Sequence, residues 1–311
     1  MRTAFVDTLL ELAATDRRIF LLTADLGWSV LEKFATRYPD RFLNVGVAEQ
    51  NMLGVATGLA LAGYTPFVYS IATFSSMRCY EQIRNGPVLH RLPVRVVGIG
   101  GGYAYGHAGP THHALEDLAI TRVQPGLTVL APADRPQARA AILNTADHRG
   151  PIYFRISKDK REAIPGLDGR FELGRPELVC EGRDLLLIST GDIAHEAVRA
   201  AQILNSEGVS TAMAVLAHLG FEPSPELCEL LGSYRRVATL EEGYAAGGLG
   251  SLVAEAIARE GLACRLSIHG IRQNFPDVSG STTYMRGRNE LNAEQLAAQF
   301  LRDIKQRRRA A

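Results

Sequence analysis

Phe42-Leu-Asn-Val-Gly-Val-Ala-Glu-Gln-Asn51 changes its pattern halfway along. Phe42 to Val45 reads as a short strand. Gly46 interrupts it, and an acid, Glu49, stands near the start of the next segment. From Ala48 to Ala62 the residues are small and apolar and read as a helix, with Gly54 and Gly58 four apart. Small residues at that spacing either let another helix approach closely or reflect tight core packing. Thr65 to Ser70 is a second strand. Strand, helix and strand in that order predict one unit of a largely parallel sheet.

The same alternation extends outward. Phe5, Val6, Leu9, Leu10 and Ala13 recur at helical spacing. Ile19 to Thr23 is a strand running into Asp25-Leu-Gly27. Ser75 to Leu89 reads as a helix and Val94 to Ile99 as a buried strand. Strands at Val129 to Ala131 and Ile152 to Arg155 flank a helix from Arg135 to Ala146. Between Lys158 and Gly182 periodicity is lost among charges, Pro165, Gly166, Gly169, Gly174 and Pro176, as in a linker. A second alternating set comes next, with strands at Leu185–Ser189, Val209–Val215, Arg236–Leu240 and Cys264–Ile268. The expected fold is therefore α/β, with two doubly wound, mainly parallel sheet domains. Their expected extents are 1–160 and 183–311, joined by a linker at 161–182.

Composition narrows the function. The chain has 311 residues, enough for roughly two domains of about 150. Apolar residues make up 46% and charged ones 22%, which excludes wholesale disorder. Lys plus Arg number 34 against 33 Asp plus Glu, so the basic excess of a dedicated nucleic-acid binder is missing. No run reaches about 18 apolar residues, so no membrane span is expected. Cys79, Cys180, Cys228 and Cys264 are far apart, without zinc spacing. They read as reduced thiols of a cytoplasmic protein.

In such sheets ligands sit beyond the carboxyl ends of the strands. Four loops there carry candidate residues: Asp25-Leu-Gly-Trp-Ser29, the Gly46–Asn51 turn with Glu49, Thr73-Phe74, and the glycine-rich stretch from Gly100 to His113. Glu49 by itself reads as a first-turn carboxylate favoured by the helix dipole, a matter of about 0.3–1 kcal/mol. Phe74 by itself is a core aromatic. The glycine loop lacks P-loop spacing. On a helix His112 and His113 would diverge by about 100°, which suits acid–base or hydrogen-bonding work better than shared metal ligation. Its glycine content makes the Gly100–Gly109 loop a candidate to close over a substrate.

Taken in order, these loops resemble the C-terminal half of transketolases, and equally the related half of 1-deoxy-xylulose-5-phosphate synthase. The resemblance covers essentially the whole chain. It rests on Arg41-Phe-Leu-Asn-Val-Gly-Val-Ala-Glu49-Gln-Asn, Thr73-Phe74 and Gly109-Pro-Thr-His112-His-Ala-Leu-Glu-Asp117. Thr239-Leu-Glu-Glu-Gly243 and Gly247-Gly-Leu-Gly-Ser251 fit the C-terminal domain. The resemblance implies thiamine diphosphate as cofactor. Glu49 would hold the pyrimidine nitrogen, a catalytic role. Phe74 would stack on the ring, Tyr80 would flank it, and Met77 stands where the family often has a second aromatic. Asp25 matches an acid near the thiazolium side. Arg2, Ser29 and Arg155 match residues that grip a sugar phosphate, and His112 matches the histidine that contacts the donor's oxygens.

Two departures bear on substrate. Gly100 stands where transketolases carry a basic residue, and Ala108 where they carry an Asp that reads a donor hydroxyl. A lost partner for a buried hydroxyl costs about 1–3 kcal/mol, so a different donor or acceptor is expected. The family's Gly-Asp-Gly motif for diphosphate and Mg²⁺ does not occur; Gly191-Asp192 is followed by Ile193. The implied partner is an N-terminal-half subunit that supplies this site and binds most of the Mg²⁺, in a heterotetramer, with the Gly54 helix at the interface. The leading function is a split transketolase that moves a two-carbon ketol unit from a ketose or ketose phosphate to an aldehyde. The alternatives are transfer after decarboxylation of a 2-oxo acid, as in xylulose-phosphate synthase or an oxo-acid dehydrogenase β subunit, and a non-catalytic scaffold subunit.

Overall fold

The computed structural model describes residues 1–158, 162–272 and 275–308, with side chains described as far as Arg302. Among them, the first sheet is built from β1 (Ile19–Thr23), β2 (Phe42–Asn44), β3 (Thr65–Ile71), β4 (Arg95–Ile99), β5 (Thr128–Leu130) and β6 (Ile152–Ile156). Its order is β2-β1-β3-β4-β6-β5, and each pairing is parallel. The second sheet contains β7 (Glu177–Cys180), β8 (Leu185–Ser189), β9 (Thr211–Val215), β10 (Arg236–Tyr244) and β11 (Arg265–Ile271) in the order β11-β10-β8-β9-β7. Here only the edge pair β7–β9 is antiparallel among the described pairings. Two doubly wound, mainly parallel sheets are thus what the alternation led one to expect.

Strand periodicity sorts the cores. In β3, Phe67 and Tyr69 face α1 (Arg2–Thr15), α2 (Glu32–Arg37) and, further along the sheet, the helix Arg135–Asn144. Val68 faces the opposite way, toward Met52, Leu53 and Ala56 of α3 (Glu49–Leu61). That second core continues through Leu118 and Val129 into Leu186, Ile188 and Ala214 of the second sheet, so one apolar layer serves both halves. Backbone bonds reinforce the seam: Ala131 N–H to Ala217 at 2.7 Å, Leu219 N–H to Val129 at 3.0 Å, and a bridge between Leu130 and His218.

Two local readings differ. The 75–89 stretch is not one helix. It divides into α4 (Ala72–Ser76), a turn at 77–79, α5 (Tyr80–Ile83) and a widened turn at Arg84–Val88 that accommodates Pro87, which has no N–H to donate. Part of the stretch expected as linker, Glu177–Cys180, is a strand. It is a short edge strand, half-exposed after Glu177, so it leaves no alternation to read. The boundary expected at 160 lies outside the described residues. A side-chain carbon added at Gly54 or Gly58 would meet no atom within 4 Å, so tight packing inside this chain does not explain these glycines.

Candidate active site

Because β1, β2, β3, β4 and β6 are parallel, the loops that follow them emerge at one edge of the sheet. Glu49 is the first residue of α3, and its side chain is only 3% exposed. Its Oε2 accepts a hydrogen bond from Arg78 at 2.8 Å. The Arg78 guanidinium also lies over the Phe74 ring, 4.1 Å from its centroid. Phe74 in turn meets the His112 ring edge-on at 5.1 Å. His112 packs against Tyr105 at 6.2 Å, and the Lys158 ammonium sits 4.5 Å from the centre of the Tyr105 ring. Arg2 closes the row by donating from Nε to the Lys158 carbonyl at 3.1 Å. Glu49, Phe74, His112 and Arg2, far apart in sequence, therefore lie along one continuous line of contacts.

The remaining expected residues fall around this row. Asp25 is held in left-handed backbone (φ 56°) and pairs with Asn44 in both directions, at 2.9 and 3.2 Å. Asn44 Oδ1 also accepts from the Gly46 N–H at 3.0 Å, which ties the Asp25 loop to the turn before Glu49. Ser29, also left-handed (φ 62°), is exposed, and its N–H donates to Glu32 at 2.7 Å rather than to this row. Two strained non-glycine residues in one loop are a common mark of a functional site. Met77 is part-exposed beside α4. Tyr80 is half-buried, with its hydroxyl donating to the Ile120 carbonyl at 2.8 Å and accepting from Gln124.

Arg155 lies inside β6, 6% exposed, and its Nη2 donates to the carbonyls of Ala114 (3.0 Å) and Glu242 (2.7 Å). Its Nε pairs with the fully buried Asp117 at 3.3 Å. It fastens the two halves together through Nη2 and Nε. Lys158, beyond the end of the strand, is a cation that does lie on the site row. The two histidines diverge as expected. His113 is buried, bonds through Nε2 to the Gly106 carbonyl at 3.0 Å and packs on Tyr103. His112 faces Phe74, with Nδ1 2.9 Å from the Thr111 hydroxyl.

The glycine loop is fastened from the second half at Tyr103 and Gly106. Gly280 N–H bonds to Gly106, the Thr282 hydroxyl to the Tyr103 carbonyl, and Asn289 to the Tyr103 hydroxyl. Gly106 sits so close to the Gly280 carbonyl that a Cβ would approach to 2.3 Å. Gly100 (φ 76°) is flanked by Tyr105, whose ring occupies the space a side chain there would need. Burial pushes the Cys79 thiol, near Glu49, up to about 12, and so keeps it neutral. No cluster of three or more metal-ligating side chains occurs among the described residues.

Arg78, Asn44, Tyr105 and Lys158 escaped the sequence reading. Arg78 had a signal: it lies four residues after Phe74, where a helical or near-helical turn brings side chains together. Lys158 had one too, since ligand contacts cluster past strand ends rather than within strands.

Comparisons with known proteins identify the family. The chain matches the pyrimidine-binding domain of transketolase over residues 1–162 and the transketolase C-terminal domain over 174–292. It is 36% identical over 299 residues to the 6-deoxy-6-sulfo-D-fructose transketolase subunit of a Clostridium strain, covering 95% of this chain and 92% of that protein. It is 34% identical over 273 residues to an apulose-4-phosphate transketolase subunit of Phocaeicola vulgatus, covering 85% and 86%. A solved split-gene transketolase, described as an inactive beta4 tetramer, superposes with a TM-score of 0.85 at 33% identity, covering 96% of this chain and 95% of that one. The chain therefore belongs to the transketolase family and spans its pyrimidine-binding and C-terminal domains.

Proposed function

We propose that this chain is the C-terminal subunit of a split, thiamine-diphosphate-dependent transketolase, and that it transfers a two-carbon ketol unit from an anionic ketose donor to an aldehyde. The observation that carries this is the row from Glu49 through Phe74 and His112 to Lys158 and Arg2. It sets a buried carboxylate, an aromatic face, a histidine and two cations along one sheet edge. The donor set suits an aminopyrimidine: an acid for a ring nitrogen and an aromatic face for the ring. Arg78, a planar donor group, already satisfies both contacts.

When bound, thiamine diphosphate supplies a carbon that can accept and release a carbonyl-derived unit. Glu49 would hold the pyrimidine ring nitrogen, in a buried position from which water is largely excluded. Phe74 would orient the ring, Tyr80 and Met77 would flank it, and Asp25 would serve the thiazolium side. His112 hydrogen-bonds the donor's oxygen atoms. Arg2 and Lys158 hold its charged end, with Ser29 on the adjoining loop. The names of the two relatives specify a sulfo-sugar and a sugar phosphate. A pair of cations suits either anion. With Tyr105 packed over Gly100, a basic side chain at position 100 has no room, so the contacts around the donor differ from those of ordinary pentose-phosphate enzymes.

The diphosphate and Mg²⁺ belong to an N-terminal-half partner in a heterotetramer. The open face of α3 at Gly54 and Gly58, and the exposed Val47 before it, support a docking surface at this edge. A division near 160–182 and a cytoplasmic setting complete the proposal. The four free cysteines are in keeping with the latter, and no helix among the described residues is long and apolar enough to cross a membrane.

The test is transfer from ketose phosphates, a sulfo-ketose and pyruvate by the assembled enzyme. Glu49→Gln should lower kcat with the preferred ketose by about 10²–10⁴-fold. Unchanged activity would make the chain a scaffold, and preference for pyruvate would favour the 2-oxo acid reading.

A further inference from the structure

Arg78 makes both of the contacts assigned above to the cofactor's pyrimidine. Its Nη1 donates to Glu49 Oε2 at 2.8 Å, as a ring amine or protonated ring nitrogen would. Its planar guanidinium lies 4.1 Å from the centroid of Phe74, where a flat heterocycle would stack. A guanidinium is flat, cationic and rich in donors, so it can imitate an aminopyrimidine on a carboxylate and an aromatic face. The two members of the ion pair differ sharply in exposure: 3% for Glu49 and 44% for Arg78. The arginine therefore reaches in from the surface on a flexible stem. It stems from the turn at 77–79, between α4 and α5, and not from within a helix.

We infer that Arg78 is an internal surrogate for the pyrimidine: it neutralises Glu49 and covers Phe74 while the cofactor is absent, and it swings out when the cofactor enters. This rests on the cofactor-site reading above and adds a residue to it. The contact has a stabilising use. A buried carboxylate left without a partner is costly, and Arg78 supplies one before the partner subunit and cofactor arrive. It also sets a threshold. The cofactor binds only the fraction of molecules in which Arg78 has left, so its apparent affinity is reduced by that fraction.

The experiment measures thiamine diphosphate dissociation constants, with Mg²⁺, for the heteromeric enzyme carrying wild-type chain, Arg78→Met or Arg78→Ala. Melting temperatures of the lone chains are measured in parallel. Removal of the surrogate should tighten binding about tenfold, the equivalent of one charged contact. It should also lower the melting temperature of the lone chain, because Glu49 is then unpaired. In a Glu49→Gln background the tightening should shrink. Equal or weaker cofactor binding by both variants, with wild type binding normally, would overturn the surrogate and make Arg78 a group that positions Glu49. Absence of binding by the wild-type enzyme would instead overturn the cofactor-site reading, and the surrogate with it.

Discussion

At the scale of the residue, the site works by pairing charges with planes. Glu49 is buried at the start of α3, and Arg78 answers its charge while stacking on Phe74. Further along, the Lys158 ammonium lies against Tyr105 and Arg2 bonds to the Lys158 backbone carbonyl, an arrangement that suits an anionic substituent on the donor. Lys158→Ala should therefore raise KM for a phosphorylated or sulfonated ketose about tenfold, one charged hydrogen bond's worth, with little change in kcat. Steady-state kinetics with a charged and an uncharged ketose check this. An equal effect on both would remove Lys158 from substrate binding. Much of this row was legible in the sequence. Glu49, Phe74 and His112 each come after a strand and sit in distinctive motifs. The structural ties of Arg155 were not legible, because an arginine in the right region says nothing about which side of a strand end it occupies. Its guanidinium is consumed by Ala114 and Asp117, close together in the first half of the chain, and by Glu242 in the second.

At the scale of the element, alternation was readable wherever strands are buried on both faces, as in β3, β4 and β8. It failed at β7, a four-residue edge strand, and in the broken helical stretch around Pro87. One polar side chain illustrates how elements are fixed in place. Asp134 precedes the helix Arg135–Asn144 and is fully buried. One of its oxygens accepts from the Gln137 N–H and the other from the Ile164 N–H, both at 2.8 Å. The residue caps the helix and anchors the chain where it leaves the first sheet. Asp134→Ala removes a cap and strands a buried N–H, so it should cost about 2–4 kcal/mol. Urea unfolding measures this; a loss under about 0.5 kcal/mol, well below what one cap is worth, would show that the carboxylate anchors nothing.

At the scale of the whole molecule, the seam between the sheets contributes a pH dependence. His218 bridges to Leu130 there, and its Nδ1 is buried without a hydrogen-bond partner among the described residues. Burial lowers its pKa from 6.5 to about 4, and His148 nearby is lowered for the same reason. The folded protein thus resists a proton that the unfolded chain takes readily. Stability from this source is complete above about pH 6.5 and drains away as pH falls toward 4. His218→Leu should flatten the pH dependence of unfolding in that window and leave it unchanged above about pH 7. An unaltered slope would place the acid sensitivity elsewhere. The buried cluster of Arg286 with Glu242 (2.7 Å) and Asp192 (2.8 Å) also spans the second half beneath the glycine loop. The C-terminal domain therefore holds the Gly100–His113 loop in shape as well as packing against the first sheet. That role was invisible in sequence, because it depends on contacts between residues 179 positions apart, such as Thr282 and Tyr103.

The central claim is that this chain supplies the pyrimidine side of a shared site and needs a second subunit for the diphosphate side. Calorimetry of thiamine diphosphate with Mg²⁺ tests it most directly, on this chain alone and on this chain mixed with an N-terminal-half transketolase subunit from the same organism. Tight binding by the mixture and none by the lone chain is the expected result. Tight binding by the lone chain, or none by the mixture, would contradict it.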